Sequence, residues 1–221
     1  MQKRGLIIGD YDTVIAGHWL LTKLVDTKPE QETNYVTVPG RTHGPLDLST
    51  ALTDGEPSYG SRQLTATFES SEGNRVQREH RINVMINALD GYRKNIILPD
   101  DRDHYLVGRV SVAKVYNDMA HASVQVTAIC EPWRYNIDET EIFLDCKAAA
   151  QNVTLPNQGR LTVVPQLTVS IGPVSLMIDG ETVTLNRGTH ILPALALLPG
   201  GKKITYRGVG QLVARYREAL L

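Results

Sequence analysis

The pattern of apolar and polar positions predicts a chain built mainly of β-strands. Alternating or β-branched segments occur at residues 35–38, 63–68, 105–112 and 122–129. Clusters of turn-forming residues separate the early segments, at Pro39-Gly40, Gly44-Pro45 and 54–57. We therefore predict strands joined by loops in this part of the chain.

One segment has helical rather than strand periodicity. Ile82, Met85, Ile86 and Leu89 follow each other at offsets of 0, 3, 4 and 7, after several capping side chains at residues 70–74. Asp90-Gly91 supplies a C-terminal stop. The helix is expected to place His80 on or beside its apolar face, partly buried. Its opposite face is predicted to be solvated and comprises Arg75, Arg78, Glu79, Arg81 and Asn83.

Beyond residue 136 the pattern changes to short strands with frequent turns. Asp179-Gly180 predicts a hairpin over residues 175–185, because this pair tolerates the positive φ angles of a type I′ turn. Gly200-Gly201 precedes a strand at 202–206, and a last strand occupies 212–216. Strands at intervals of roughly 8 to 12 residues favour a small sandwich. We predict two domains, at residues 1–135 and 136–221.

Composition and charge exclude several classes of protein. The 221 residues are 42% hydrophobic, and 23 basic against 24 acidic residues give a net charge of -1. This balance provides no general attraction to nucleic acid or to anionic membranes. Gly9 and Asp10 interrupt the first apolar run, and the longest apolar stretch, at 191–199, is about half of a membrane span. We expect synthesis in a cytosol and no membrane insertion.

The candidate metal and thiol chemistry is weak. Asp100, Asp101 and Asp103 with His104 suit a hard cation, but a solvated turn between strands is the favoured interpretation. The six histidines lack HxxxH or HxH spacing, and two cysteines are too few for a structural zinc site. Cys130 and Cys146 are expected to be reduced core thiols. No metal or cofactor is predicted.

Nothing in the sequence indicates an enzyme. There is no GxSxG elbow, and Gly208-Val209-Gly210 lacks the third glycine of a dinucleotide loop, so we expect a tight turn there. A basic group around the helix could face nucleic acid, although a solvated helix face is the favoured interpretation. Its members are Arg75, Arg78, Arg81, Arg93 and Lys94.

The order of these elements resembles the distal tail protein (Dit) family of long-tailed siphophages. The resemblance covers roughly residues 1–135. It is carried by an ordered series: Pro29, the segments at 35–41 and 44–48, Tyr59, 62–64, Phe68, the helix, 89–91, 96–98, Asp100-Asp101, Tyr105 and 108–110.

The resemblance implies a mainly β architecture: a β-sandwich with one helix and a projecting hairpin, followed by a small C-terminal galectin-like β-sandwich. It implies a homo-hexameric ring at the distal end of a virion tail. Such a ring joins the tail tube protein to a tail-associated hub or lysin protein, in some phages also to a receptor-binding protein. DNA passes through its lumen without sequence-specific binding.

The family motif also implies structural roles for individual residues. Pro39, Gly40 and Gly44 are expected to shape a loop, in which Arg41 and Asp47 also belong to the motif. Gly91 is expected to end the helix, and Asp100 and Asp101 to turn a hairpin that ends at Gly108-Arg109.

Two other functions remain open. A carbohydrate-binding module acting at the host surface would use aromatic stacking in the C-terminal sandwich. The aromatic side chains available beyond Tyr135 are Phe143, Tyr206 and Tyr216. A hydrolase acting on the host wall ranks third, because no recognisable motif places a pair of carboxylates.

Overall fold

A computed structural model describes residues 5–40, 43–53 and 55–221 of the chain. The chain divides into two compact units, Met1–Pro132 and Trp133–Leu221. The division falls within one long strand, Ala122–Asn136, and the boundary expected after residue 135 lies in the same strand.

The first unit is formed by one large sheet, one helix and a separate small hairpin. The large sheet has the strand order β2-β1-β7-β8-β9-β6-β3, and β4 pairs with β5 apart from it. The bounds are β1 Ile7–Ile8, β2 Tyr11–Asp12, β3 Leu20–Thr27, β4 Tyr35–Val36, β5 Leu46–Asp47, β6 Arg62–Ser70, α1 Arg75–Leu89, β7 Arg93–Leu98, β8 Asp101–Asn117 and β9 Ala122–Asn136.

Helix α1 begins and ends where local chemistry stops the helical hydrogen bonds. Asn74 and Gln77 form a capping box, in which each side chain accepts a hydrogen bond from the backbone amide of the other residue. Asp90 is the C-cap, and Gly91 follows with a positive φ of 78°. The predicted helix is therefore confirmed at both ends.

The core of the first unit lies between the helix and the sheet. The predicted apolar stripe packs there, with Ile82, Met85 and Leu89 buried and Ile86 partly buried. Alternate residues of the sheet complete this core, among them Leu64, Ala66, Phe68, Val124, Val126 and Ala128.

The prediction of a solvated helix face is wrong for Arg78, whose side chain is only 1% exposed. Its guanidinium donates hydrogen bonds to the carbonyl oxygens of Gly73, Asp118 and Met119. These bonds replace the water that a buried cation loses, so Arg78 clamps the helix start to the turn between β8 and β9. His80, expected to be partly buried, is instead exposed.

The second unit contains two four-stranded sheets. Their strand orders are β10-β17-β12-β15 and β11-β16-β13-β14. The bounds are β10 Thr140–Cys146, β11 Gln151–Leu155, β12 Gln166–Val169, β13 Val174–Ile178, β14 Glu181–Leu185, β15 Gly188–Ile191, a 3-10 turn Pro193–Leu195, β16 Lys202–Gly208, β17 Gly210–Tyr216 and β18 Ala219–Leu220. Strand β18 pairs with Arg134 and Tyr135 of β9.

The predicted hairpin at Asp179-Gly180 is confirmed. Strands β13 and β14 pair from Val174↔Leu185 to Ile178↔Glu181, and both turn residues have positive φ, 50° and 89°. Both sheets contribute side chains to one apolar core, including Leu155, Leu167, Leu176, Ile204 and Leu212. The chain is mainly β, as predicted. Within the described residues, no helix is long and apolar enough to cross a bilayer.

Candidate assembly surfaces

Strand β3 forms one edge of the large sheet. It pairs with β6 along seven register positions, and among the described residues no strand pairs with its other side. Leu20 and Val25 on this strand are exposed. An open edge presents unpaired backbone donors and acceptors, so β3 is a candidate surface for another polypeptide.

Strand β3 is shaped and anchored by specific side chains. Its register with β6 shifts between Leu21 and Lys23, a bulge at which the Thr22 hydroxyl donates to the Thr67 carbonyl oxygen at 3.1 Å. At its far end Asp26 accepts a hydrogen bond from Nη1 of Arg62 at 2.8 Å. Arg62 is only 2% exposed, so this ion pair fixes the edge strand to β6.

The connection between β3 and β6 forms a second uncovered surface, which we call the excursion (residues 28–61). Most of its described residues are exposed, and β4 and β5 are its only strands within the described part. Tyr35, Val36 and Val38 are exposed apolar residues, and Leu52 is 99% exposed. Exposed apolar residues concentrated on one segment are typical of interaction sites.

Hydrogen bonds fix the backbone of the excursion, although its apolar side chains do not pack into a core of their own. The amide of Asn34 donates to the Ser49 hydroxyl at 2.8 Å, and its carbonyl oxygen accepts from the Leu48 amide at 2.8 Å. The hydroxyl of Ser49, and then its amide, lower the pKa of Asp47 by hydrogen bonding to its carboxylate. The uncovered side chains are therefore presented on a defined backbone.

Several family-motif residues lie in this excursion. Pro39, Gly40 and Gly44 occupy the connection between β4 and β5, where both glycines have positive φ, 82° and 76°. Asp47 ends β5. Arg41 lies outside the described residues, as do Thr42 and Asp54.

The other family-motif residues lie around the end of the helix and along β7 and β8. The Gly91 amide donates to the Val110 carbonyl oxygen at 2.8 Å, and Nη1 of Arg109 donates to the Gly91 carbonyl oxygen at 2.5 Å. Asp101, which begins β8 after a turn that contains Asp100, contacts Nδ1 of His104 at 2.6 Å. The two contacts of Gly91 join the helix end to the sheet.

Gly108 is close to the backbone of β9. A Cβ atom built on Gly108 would lie 2.5 Å from Sγ of Cys130 and 2.9 Å from the carbonyl oxygen of Ile129, so a larger residue would displace this strand. Gly108 and Arg109 also line an open groove of about 330 Å³ together with Glu32 and Tyr59 from the two ends of the excursion. The structure thus brings these two motif residues to the base of the excursion.

The structure shows the surroundings of the two cysteines and of the candidate metal ligands. Cys130 is buried in the core of the first unit, and this burial raises the pKa of its thiol to about 11. Cys146 is partly buried, and burial raises its thiol pKa as well. Both are free thiols. Among the described residues, no group of three His, Cys, Asp or Glu side chains is arranged to hold a metal ion.

The basic group around the helix does not form one continuous surface. Arg78 is buried in the clamp, and Arg93 forms an ion pair with Glu131. Nζ of Lys94 lies 5.4 Å from the centre of the Tyr92 ring, over its face. Arg75 and Arg93 are exposed, whereas Arg81 and Lys94 are partly buried.

Comparison with known proteins shows a likeness in fold to a phage protein. No protein family profile matches the sequence, and no curated protein matches it. The crystal structure of the Dit protein (gp 19.1) of SPP1, described as a paradigm of the hub adsorption apparatus in Gram-positive infecting phages, matches with a TM-score of 0.69. The match covers 100% of both chains at 15% sequence identity.

This likeness establishes the fold. It extends over the second unit as well as the first, whereas the sequence resemblance was limited to roughly residues 1–135. The resemblance to distal tail proteins is therefore confirmed at the level of the fold.

Proposed function

We propose that this chain is a structural subunit of the tail tip of a long-tailed phage or prophage, located at the distal end of the virion tail. The observation that carries the proposal is the full-length likeness in fold to SPP1 Dit, a protein of a phage adsorption apparatus. A structural role also agrees with a molecule whose distinctive features are uncovered surfaces.

The proposed assembly is a homo-hexameric ring. A closed ring uses one heterologous contact repeated by rotation, so each copy needs two different complementary surfaces. The open edge of β3 and the apolar side chains of the excursion can serve in such a contact, because a neighbouring copy would pair the edge and cover Val36 and Leu52.

The ring would join the tail tube protein on one side to a hub or lysin protein on the other. A receptor-binding protein is a further partner in this proposal, and DNA would pass through the lumen at ejection without sequence-specific contacts. Among the described residues, the cations around helix α1 are dispersed, since Arg78 is buried and Arg93 pairs with Glu131, and this agrees with a passage that makes no sequence-specific contacts.

The experiment that tests the proposal is light scattering of the purified chain across a concentration series, with negative-stain imaging of the largest species. We expect a mass near six times 24.4 kDa and ring-shaped particles. A protein that stays at 24.4 kDa at every concentration and forms no rings would contradict self-assembly.

A matched pair of variants tests the surface. Val36→Ser combined with Leu52→Ser is expected to shift the mass toward the monomer, because both side chains lose apolar area that a neighbour would bury. Val209→Ser, at an exposed turn of the second unit, is the control and should leave the mass unchanged. Equal masses for both variants would show that the excursion is not the contact.

A further inference from the structure

The outward face of the sheet β11-β16-β13-β14 in the second unit has an unusual chemical composition. Alternation along each strand turns short hydroxyl and amide side chains outward. The pairing places Asn152, Thr205, Met177 and Thr182 side by side in one row across all four strands. A second row brings Arg207, Ser175 and Thr184 together.

An open groove of about 230 Å³ lies on this face. Ser175, Met177, Thr205 and Arg207 are among the residues that line it. Met177 is 44% exposed and supplies an apolar surface between the hydroxyl groups. The Thr205 hydroxyl donates to Oδ1 of Asn152 at 2.6 Å, which orients that amide within its row.

The charges of this face are all of one sign. Lys203 and Arg207 are exposed on β16, and neither forms an ion pair in the described part of the chain. Three other cations of the second unit are neutralised: Lys202 by Asp179, Arg215 by Glu141 and Arg217 by Glu139. None of the outward positions described on the four strands is an Asp or a Glu.

We propose that this sheet face binds an anionic polysaccharide. Lys203 and Arg207 would contact its negative groups, and the rows of hydroxyl and amide side chains would exchange hydrogen bonds with its hydroxyl groups. The exposed Met177 would contact the apolar face of a sugar ring. Every residue involved belongs to the second unit, whereas the ring contact proposed above uses residues of the first, so the two proposals can be tested separately.

The composition of the face distinguishes a glycan from nucleic acid. Single-stranded nucleic acid binds where aromatic side chains stack on bases. Tyr206, the aromatic residue of β16, is buried on the inward side of its strand, and no outward position described on these four strands is aromatic. Two cations among many hydroxyl groups suit a polymer that carries both charge and hydroxyls.

The same features separate this site from the aromatic stacking considered for a carbohydrate-binding module. Tyr206 and Tyr216 are buried, so neither is available for stacking. Phe143 is 59% exposed but belongs to β10, in the other sheet. Charge and hydroxyl groups, rather than an aromatic platform, define the proposed site.

Affinity electrophoresis of the full chain in gels that contain polygalacturonate tests the proposal. We expect retardation by polygalacturonate, none by neutral dextran, and a loss of retardation as the salt concentration rises. Arg207→Gln combined with Lys203→Gln should weaken binding about tenfold or more. The control, Arg215→Gln on the other sheet, should bind as the natural sequence does, although it also removes one positive charge.

Three results would overturn the proposal. They are equal weakening by Arg215→Gln, equal retardation in dextran, and duplex or single-stranded DNA that competes as strongly as polygalacturonate through Lys203 and Arg207. The last result would assign the face to nucleic acid instead. Circular dichroism of each variant establishes that a loss of binding does not arise from unfolding.

Discussion

The two units stabilise their structures with different kinds of buried side chain. The first unit buries two arginines, Arg62 and Arg78, whose guanidinium groups bind an edge-strand carboxylate and turn carbonyl oxygens. Within the described second unit no Lys or Arg is buried, and an apolar core receives side chains from both sheets. Both units therefore have an apolar core, and the first adds buried arginines that hold segments distant in sequence together.

The largest expected effect comes from a substitution in the apolar core of the second unit. Leu176→Ala removes a fully buried side chain and should lower the free energy of unfolding by about 3–4 kcal/mol. Hydrogen exchange read by mass spectrometry should show faster exchange in peptides from 133–221. Met177→Ala, at the next position but facing outward, is the control and should cost less than about 1 kcal/mol. Similar losses for both variants would show that apolar packing does not dominate there.

The second largest effect comes from removing the guanidinium of Arg78, which clamps the helix start in the first unit. Arg78→Ala leaves the carbonyl oxygens of Asp118 and Met119 without their donor and should cost about 2–3 kcal/mol. Peptides from 70–80 and 117–122 should exchange faster. Arg75→Ala, exposed on the same helix, should change stability by no more than about 0.5 kcal/mol. If the two arginine variants are equally stable, the clamp contributes nothing.

The third effect uses alkaline pH to compare the two cysteines. The folded first unit keeps the proton on Cys130 until the pH reaches about 11, whereas the unfolded thiol loses it near 9.0. Its contribution to stability is therefore present below pH 9 and lost as the pH rises toward 11, about 1.4 kcal/mol at pH 10. Urea unfolding at pH 8 and pH 10 measures this loss.

Alanine variants show which thiol causes the loss. Cys130→Ala should remove most of the change in unfolding free energy between pH 8 and pH 10. Cys146→Ala, at a partly buried thiol of the second unit, should keep it. The reverse pattern would place the titrating group in the second unit.

The smallest expected effect concerns the start of helix α1. Asn74→Ala removes the side-chain acceptor of the capping box and should cost about 1 kcal/mol. Asn83→Ala makes the same substitution at an exposed position inside the helix and should be neutral or slightly stabilising, since Ala has the higher helix propensity. Thermal unfolding of both variants measures the difference. A destabilised Asn83→Ala would contradict this account of the helix.

Local chemistry explains which elements could be predicted from the sequence. Helix α1 and the hairpin at Asp179-Gly180 were predicted because capping side chains, an apolar stripe and a turn pair act within a few residues. Strand β3 was missed because the bulge at Thr22 interrupts the alternation of apolar residues that marks a strand.

Long-range contacts explain what could not be predicted. Arg78 looks like any surface cation in sequence, and its burial depends on carbonyl oxygens 40 and 41 residues away. Arg62 depends in the same way on Asp26, 36 residues earlier. The two rows on the sheet face of the second unit required strand pairing across β11, β16, β13 and β14, which no local pattern gives.

The Arg78 clamp also has a consequence for the order of folding. The carbonyl oxygens of Asp118 and Met119 that accept its hydrogen bonds reach their positions only when β8 and β9 have paired and formed the turn between them. Closing this loop of about 40 residues has an entropic cost that local helix formation does not carry. The clamp can therefore stabilise the first turn of α1 only after β8 and β9 have come together, whereas the capping box of Asn74 and Gln77 acts within that turn itself.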